Sequence, residues 1–458
     1  MNKIFFNSTL ALLLISPLHG QALTTITQLP FTADIPNETY VLGGDLSLDT
    51  GNAITVAADN ITLDGNQFTL TYAETGAGHA IFISRNVNRL EIKHFNIAQG
   101  NYDPASGETV HAIYRNGNHS GLNIHHNTIA INRSGSVERA YGYGIQLANV
   151  ANLSSDNAIH HNTFHITGTS AGRGVSVNTS GDGQWSGNIH HNTVTLSNLS
   201  NTPAGYPRAI AIGGNGPMDV YNNTIELDAG CDTVQGISLW NSDNHLVHDN
   251  TITSYAYQGR AIIIDGDSDG NYIFNNQIAM RSQHTQGDAS AGIRLRFASD
   301  DNVIFSNHIE AHNGANSFAL RVGGREPALP QPRSNIYHSN TLTSASRVIA
   351  IEDEGDALFY HNTLNASGGY AIYAYGNADN GAVNQNLQFN FETIRGEIRF
   401  NSIGLGSDGV LFCGSGLTDN QVVVGSGSAN YTIQPDGCTF VPPSPPGAPT
   451  TLLCTGCP

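Results

Sequence analysis

The chain has 458 residues, 50 of them glycine, with 12% charged residues and a formal net charge of −18. That balance excludes nucleic acid and anionic membrane surfaces as principal partners, since both would repel it. Lysine occurs only at Lys3 and Lys93, so any anion site must be built from arginine, histidine or a bound metal ion.

Residues 1–22 read as an export signal. Lys3 precedes the apolar run Ala11, Leu12, Leu13, Leu14 and Ile15, and small residues end at Ala22. No later apolar run approaches the roughly twenty residues needed to cross a bilayer, so the expectation is a secreted, extracellular or periplasmic chain with no membrane span. Leu23 to Tyr40 is expected to cap the start of the fold, and a monomer is expected.

From there a repeat dominates. Asn123-Ile124-His125-His126-Asn127-Thr128-Ile129 recurs at Ala158–Phe164 and Asn188–Val194, then continues in weaker form. The corner asparagines read from it are Asn66, Asn96, Asn127, Asn162, Asn192, Asn223, Asn250, Asn276, Asn307, Asn340 and Asn362. A second short strand accompanies each corner, as in Gly144-Ile145-Gln146-Leu147, Gly174-Val175-Ser176-Val177 and Ala261-Ile262-Ile263-Ile264. Apolar residues alternate along these segments, the period of a strand with one buried face. Strands at one turn of chain per repeat, without helical periodicity, predict a single-stranded parallel β-helix of about eleven coils. Its rod would be roughly 50 Å long at the inter-strand spacing. Stacked asparagine amides would form a ladder along one corner.

The pattern over about Ile35 to Phe391, with the entry Tyr40-Val41-Leu42-Gly43-Gly44-Asp45-Leu46 and Ile61-Thr62-Leu63-Asp64-Gly65-Asn66, resembles the pectate-lyase-like superfamily of right-handed β-helices. The resemblance implies an all-β, right-handed parallel β-helix over 23–393, and an enzyme resembling secreted polysaccharide lyases. It leaves the reaction open, because that superfamily also holds glycoside hydrolases, epimerases and non-catalytic adhesins.

In a β-helix, outward residues of equivalent strands form columns. The residue before each second strand gives His79, His111, Tyr143, Arg173, Arg208, Gln235 and Arg260. A lyase acting on a uronate polymer must neutralise a carboxylate, remove the proton beside it and protonate the departing oxygen. The expectation is that Arg173 and Arg208 bind the carboxylate while His111 and Tyr143 exchange protons. The alternative is that large polar residues merely mark strand entry. The connections 98–110, 131–142 and 197–207 are expected to wall a cleft beside this column. A competing position runs through Trp240, Asp265 and Arg296 beside Arg294 and Arg321; together with Arg260 these are candidate substrate-binding residues. The alternative there is surface pairing with Asp300, Asp301 or Glu352.

Asp265-Gly266-Asp267-Ser268-Asp269-Gly270 resembles the first half of a calcium loop, although Asn276 stands where a bidentate acid would close it. Asp265, Asp267 and Asp269 are therefore candidate ligands of a turn-bound calcium, against simple Asp capping of a turn. No other cofactor is expected. The pairs His125-His126, His160-His161 and His190-His191 should stack on three coils, as a polar surface ladder or a transition-metal site.

The five cysteines include Cys413 and Cys438, expected to be bonded within a C-terminal cap over 394–440. A Pro-rich tail, 441–458, carries Cys454 and Cys457. The leading expectation is a secreted lyase cleaving an acidic polysaccharide of glycosaminoglycan, alginate or pectate type by β-elimination. Its alternatives are a non-catalytic carbohydrate-binding or structural surface protein, and a glycoside hydrolase.

Overall fold

The computed structural model describes residues 22–401, 410–413, 422–424 and 431–434, apart from 85–86, 103–107, 118–119, 134–140, 151–155, 169–171, 180–185, 198–205, 229–232, 257, 282–289, 313–316, 324–329, 353, 355, 376–386 and 391. The fold is an all-β, right-handed parallel β-helix with up to three strands in each coil. The first face is a sheet of sixteen strands, from Ala22–Ile26 through Leu122–His125 to Tyr431–Gln434, each paired in parallel with its equivalent one coil on. Parallel pairing thus runs through both segments assigned to caps. No described helix is long and apolar enough to cross a membrane.

A central coil shows why these residues form these strands. Leu122–His125 ends at a tight corner, His126-Asn127, and the second face follows at Thr128–Arg133. The third face is Tyr141–Val150, and the chain returns to the first face at Ala158–His160. Ile124, Ile129, Ile131, Ile145 and Leu147 point inward and are closed to solvent. Equivalent residues of the neighbouring coils lie above and below them, so each coil buries its apolar face on the next and one core runs the length of the rod. A small residue follows the column position in most third-face strands for a steric reason. A Cβ on Gly144 would lie 2.6 Å from the Gly174 carbonyl oxygen and 2.7 Å from the Phe164 ring.

The corner ladder comprises nine asparagines, from Asn127 to Asn362. Each Nδ2 and each backbone N–H donates to the Oδ1 of the next, for example Asn192 to Asn223 at 3.0 Å in both bonds. Nδ2 also donates to a carbonyl one coil back, Ile159 in this case, at 2.9 Å. Asn66 and Asn96 are not members. Phe95 holds the ladder slot in its coil, donating its N–H to Asn127 at 3.0 Å, while Asn66 sits in an exposed turn at positive φ. The last acceptor is a carboxyl group: Glu392 takes both bonds from Asn362, at 2.9 and 3.0 Å, and burial pushes its pKa well up.

A second, shorter ladder runs through Asn271, Asn302 and Asn335 at another corner. It too ends on a glutamate, since Asn335 Nδ2 donates to Glu354 at 3.1 Å.

Outside the first face, rings continue the stack coil by coil. His125, His160, His190, Tyr221, His248, Phe274, Phe305, His338 and Tyr360 lie 4.6–5.2 Å apart, centroid to centroid. Cys413 is buried and takes part in a disulfide. Its expected partner Cys438 lies outside the described residues, as do Cys454, Cys457 and the segment read as an export signal.

Candidate functional site

Third-face strands need only their inward residues for the core, which leaves the outward ones free to form columns. The register aligns His79, His111, Tyr143, Arg173, Arg208, Gln235 and Arg260 on seven successive coils. His111 is sandwiched between His79 and Tyr143, with centroids at 5.2 and 4.8 Å and near-parallel rings. The His111 backbone N–H donates to His79 Nδ1 at 3.2 Å, and the Tyr143 N–H donates to His111 Nδ1 at 3.3 Å. Each neutral imidazole therefore carries its proton on Nε2. Burial pushes the His79 pKa down to about 4. The Arg173 guanidinium lies over the Tyr143 ring at 4.8 Å and donates to Ser176 Oγ at 3.1 Å.

The second outward column places Arg294 beside Arg321 on consecutive coils. A third aligns Trp240 with Asp265, and Arg296 follows because its N–H bonds the Ile264 carbonyl. Arg296 is ion-paired with Asp265 and covers the Phe297 ring at 4.4 Å. Arg321 forks onto Glu352. Gly323 lets the two strands pair at this point, for at φ +89° a Cβ would fall 1.4 Å from the backbone carbonyl oxygen of Glu352.

The two positions read as competitors are one surface. Arg208 is lowered to about 10, first by burial and then by Arg173, while Tyr143, Asp265 and Tyr206 oppose the shift. Arg260 is lowered to about 10 by burial, then by Arg296, with Arg321 adding to it. Arg294 falls well below the usual range through burial, then through Arg260, Arg321 and Arg296. Six arginines thus form one ridge against two carboxylates, Asp265 and Glu352. Six of their buried nitrogens have no hydrogen-bond partner among the described residues: Nε of Arg173, Arg208, Arg260, Arg294 and Arg296, and Nη1 of Arg321. Buried guanidinium N–H groups without acceptors are costly, and an anionic group set against the ridge would relieve that cost.

Beside the ridge, a pocket of about 620 Å³ is lined by Trp240 with Asn178, Asn215, Asn241, Asp243 and Asp267. The indole is 45% exposed, an apolar platform amid amide and carboxylate groups.

The calcium expectation is not supported. Among the described residues no three His, Cys, Asp or Glu side chains gather as metal ligands. Asp265 turns into the ridge to meet Arg296, Asp267 lines the pocket, and Asp269 accepts the Asp300 N–H at 2.7 Å. Asp243 and Asp300 accept backbone N–H groups of the next coil in the same way, so these acids cap stacked turns. The proposed cleft walls lie largely outside the described residues. Tyr206 at the end of one is described; it is 54% exposed, acts on both Arg208 and Arg260, and was not singled out from sequence.

Residues 120–323 match the family described as NosD, periplasmic copper-binding protein. Among curated proteins no match is found. The chain is similar in structure to the periplasmic alginate epimerase AlgG, at 13% identity and TM-score 0.36, over 80% of this chain and 77% of that one. It is also similar to a PL6 alginate lyase solved with a trisaccharide, at 13% identity and TM-score 0.37, over 95% and 85% of the two chains. A third similarity is to the A-module of the Azotobacter vinelandii mannuronan C-5 epimerase AlgE6, at 12% identity and TM-score 0.29, over 74% and 92%.

Proposed function

We propose that the chain is an exported polysaccharide lyase that cleaves a uronate-containing acidic polysaccharide by β-elimination. The observation that carries this reading is the arginine ridge, with six buried nitrogens that have no partner among the described residues, on one outward face of a chain whose net charge is −18. Such a surface suits a polymer with repeated carboxylate or sulfate groups, and the Trp240 pocket suits a sugar ring at its flank.

In the reaction, guanidinium groups neutralise the uronate carboxylate and so stabilise the negative charge that builds as the adjacent C5–H bond breaks. The electron pair left on C5 forms the C4–C5 double bond and expels the glycosidic oxygen on C4, which takes a proton. His111 accepts a backbone N–H at Nδ1, so its Nε2–H is the proton donor to that oxygen. Tyr143, beneath the Arg173 guanidinium, takes the C5 proton as phenolate, with Arg173 and Arg208 stabilising that form.

A retaining or inverting hydrolase is a poorer fit. It needs one carboxylic acid kept protonated, whereas both ridge carboxylates are paired with arginine. The purified protein is incubated with alginate, pectate, hyaluronan, chondroitin and heparin-type polymers, and ultraviolet absorbance of unsaturated uronate is followed. A rise on one polymer, lost in both His111→Ala and Tyr143→Phe, supports the assignment. Its survival in those variants moves the chemistry along the ridge, and no rise with polymer still bound leaves a binding protein.

A further inference from the structure

Where the outward column of the third face passes Trp240, one rung is missing. The register runs Asn178, Gly213, Trp240 and Asp265 on four successive coils. Gly213 brings no side chain beside the indole, and Gly214 next to it, at φ +104°, sits in backbone that favours glycine. On the following coil Asp265 has turned to Arg296. There the indole is backed by main chain, since a Cβ on Gly266 would lie 3.3 Å from both of its ring-fusion carbons. On the opposite side the column stays open toward Asn178, two inter-strand steps or about 9.6 Å from Trp240. A Cβ on Gly213 would meet Asn178 Oδ1 at 2.8 Å, so that amide oxygen reaches into the gap. A ring lying in van der Waals contact with the indole would restore the missing rung.

The pocket walls decide which ring fits. Asn178, Asn215 and Asn241 offer amide donors and acceptors to hydroxyl or acetamido groups. Asp243 and Asp267 add carboxylates, and Asp243 is held in place by the Asp269 N–H at 2.8 Å. No lining residue is cationic. A uronate placed here would face two like charges without a counter-ion. An uncharged pyranose can instead lay its C–H face on the indole and donate its hydroxyl protons to the carboxylates.

The geometry points to this pocket as the subsite of an uncharged pyranose, a hexose or N-acetylhexosamine, beside the ridge that takes the uronate. The polymer it implies rests on the lyase reading. Trp240 is one coil from Asp265, which pairs with Arg296 of the ridge, so an uncharged sugar and a uronate are bound side by side. The substrate is then a heteropolysaccharide in which the two kinds of sugar alternate, as in hyaluronan or chondroitin, and not a homopolymer of uronates such as pectate or alginate.

The test follows fluorescence of the Trp185→Phe protein, in which Trp240 is the sole tryptophan. It is titrated with linear trisaccharides of N-acetylglucosamine, glucose, galactose or mannose, and of galacturonate. Calorimetry repeats the titrations on wild type, on Trp240→Ala, and on Gly213→Gln, which fills the gap and keeps the indole; circular dichroism checks folding. The expected result is that at least one neutral trisaccharide binds and shifts the emission, that trigalacturonate does so at least tenfold less readily, and that both variants weaken neutral-sugar binding at least tenfold. The inference is overturned if no neutral trisaccharide binds, if trigalacturonate shifts the emission as readily, or if either folded variant loses less than tenfold. Neutral sugars bound without elimination on any polymer would refute the lyase reading alone. Elimination of pectate or alginate by a protein that binds no neutral sugar would refute the pocket assignment alone.

Discussion

Arg321 holds Glu352 with two nitrogens at once, Nε to Oε1 at 2.9 Å and Nη2 to Oε2 at 3.1 Å, both side chains nearly closed to solvent. Removing one partner strands the other charge. Glu352→Ala is expected to cost about 3–5 kcal/mol, and Arg321→Met/Glu352→Leu to recover most of it. Thermal or urea unfolding measures both; a single variant no less stable than the double contradicts the assignment.

Arg294 has the opposite character, because its neighbours Arg260, Arg321 and Arg296 all repel it. Arg294→Met should therefore raise stability, by about 1 kcal/mol, while weakening a polyanion by tenfold or more. Calorimetric binding at two salt concentrations reads the second effect, since a lost ionic contact also flattens the salt dependence. A variant that is less stable and binds equally well would show that Arg294 is structural.

Glu354 gives the fold a pH dependence. Burial pushes its pKa up to about 8, with hydrogen bonds from Tyr337 and Asn335 opposing the shift. Because the folded value lies above the ordinary one, the folded state holds the proton more tightly. The stabilisation is complete below about pH 4.5 and is lost progressively as pH rises to about 8. Glu354→Gln should flatten that window, so melting temperatures of wild type and variant diverge from pH 5 to 8 in favour of the variant. Parallel curves would exclude Glu354 as the titrating group.

The ladder separates asparagines that the repeat makes look alike. Asn223→Ala removes donors and an acceptor from a buried chain and is expected to cost about 1–3 kcal/mol. Asn66→Ala, in an exposed turn, loses no ladder bond and should cost only about 1 kcal/mol, through the strain of Ala at positive φ. Equal effects in denaturant unfolding would mean that the ladder bonds contribute nothing net.

That contrast marks what the sequence could show. Period and register were legible, so the His79-to-Arg260 column could be read directly, because one strand position per coil suffices to place it. The first ladder slots were misread by one residue, since Phe95 fills the slot with a core side chain and only its backbone serves the ladder. Asn271, Asn302 and Asn335 were missed although they are spaced like the first ladder. Asp265 looked like a local calcium ligand because its decisive partner, Arg296, lies 31 residues away and touches it only through coil stacking. The union of the two arginine columns was hidden for the same reason: side-chain reach between columns leaves no trace in spacing.

Arg173, Arg208, Arg260 and Arg321 come from four different turns of the rod, and Arg294 and Arg296 share a fifth, which makes the turn a unit of length for the ligand. Duplicating one turn, such as 223–249, would lengthen the molecule by on the order of 4.8 Å and carry everything beyond it forward by the same step, with the flanking turns still meeting their usual neighbours. The reach of the binding surface is in this sense a counted quantity, open to adjustment by whole insertions where a globular enzyme would have to reshape its cleft.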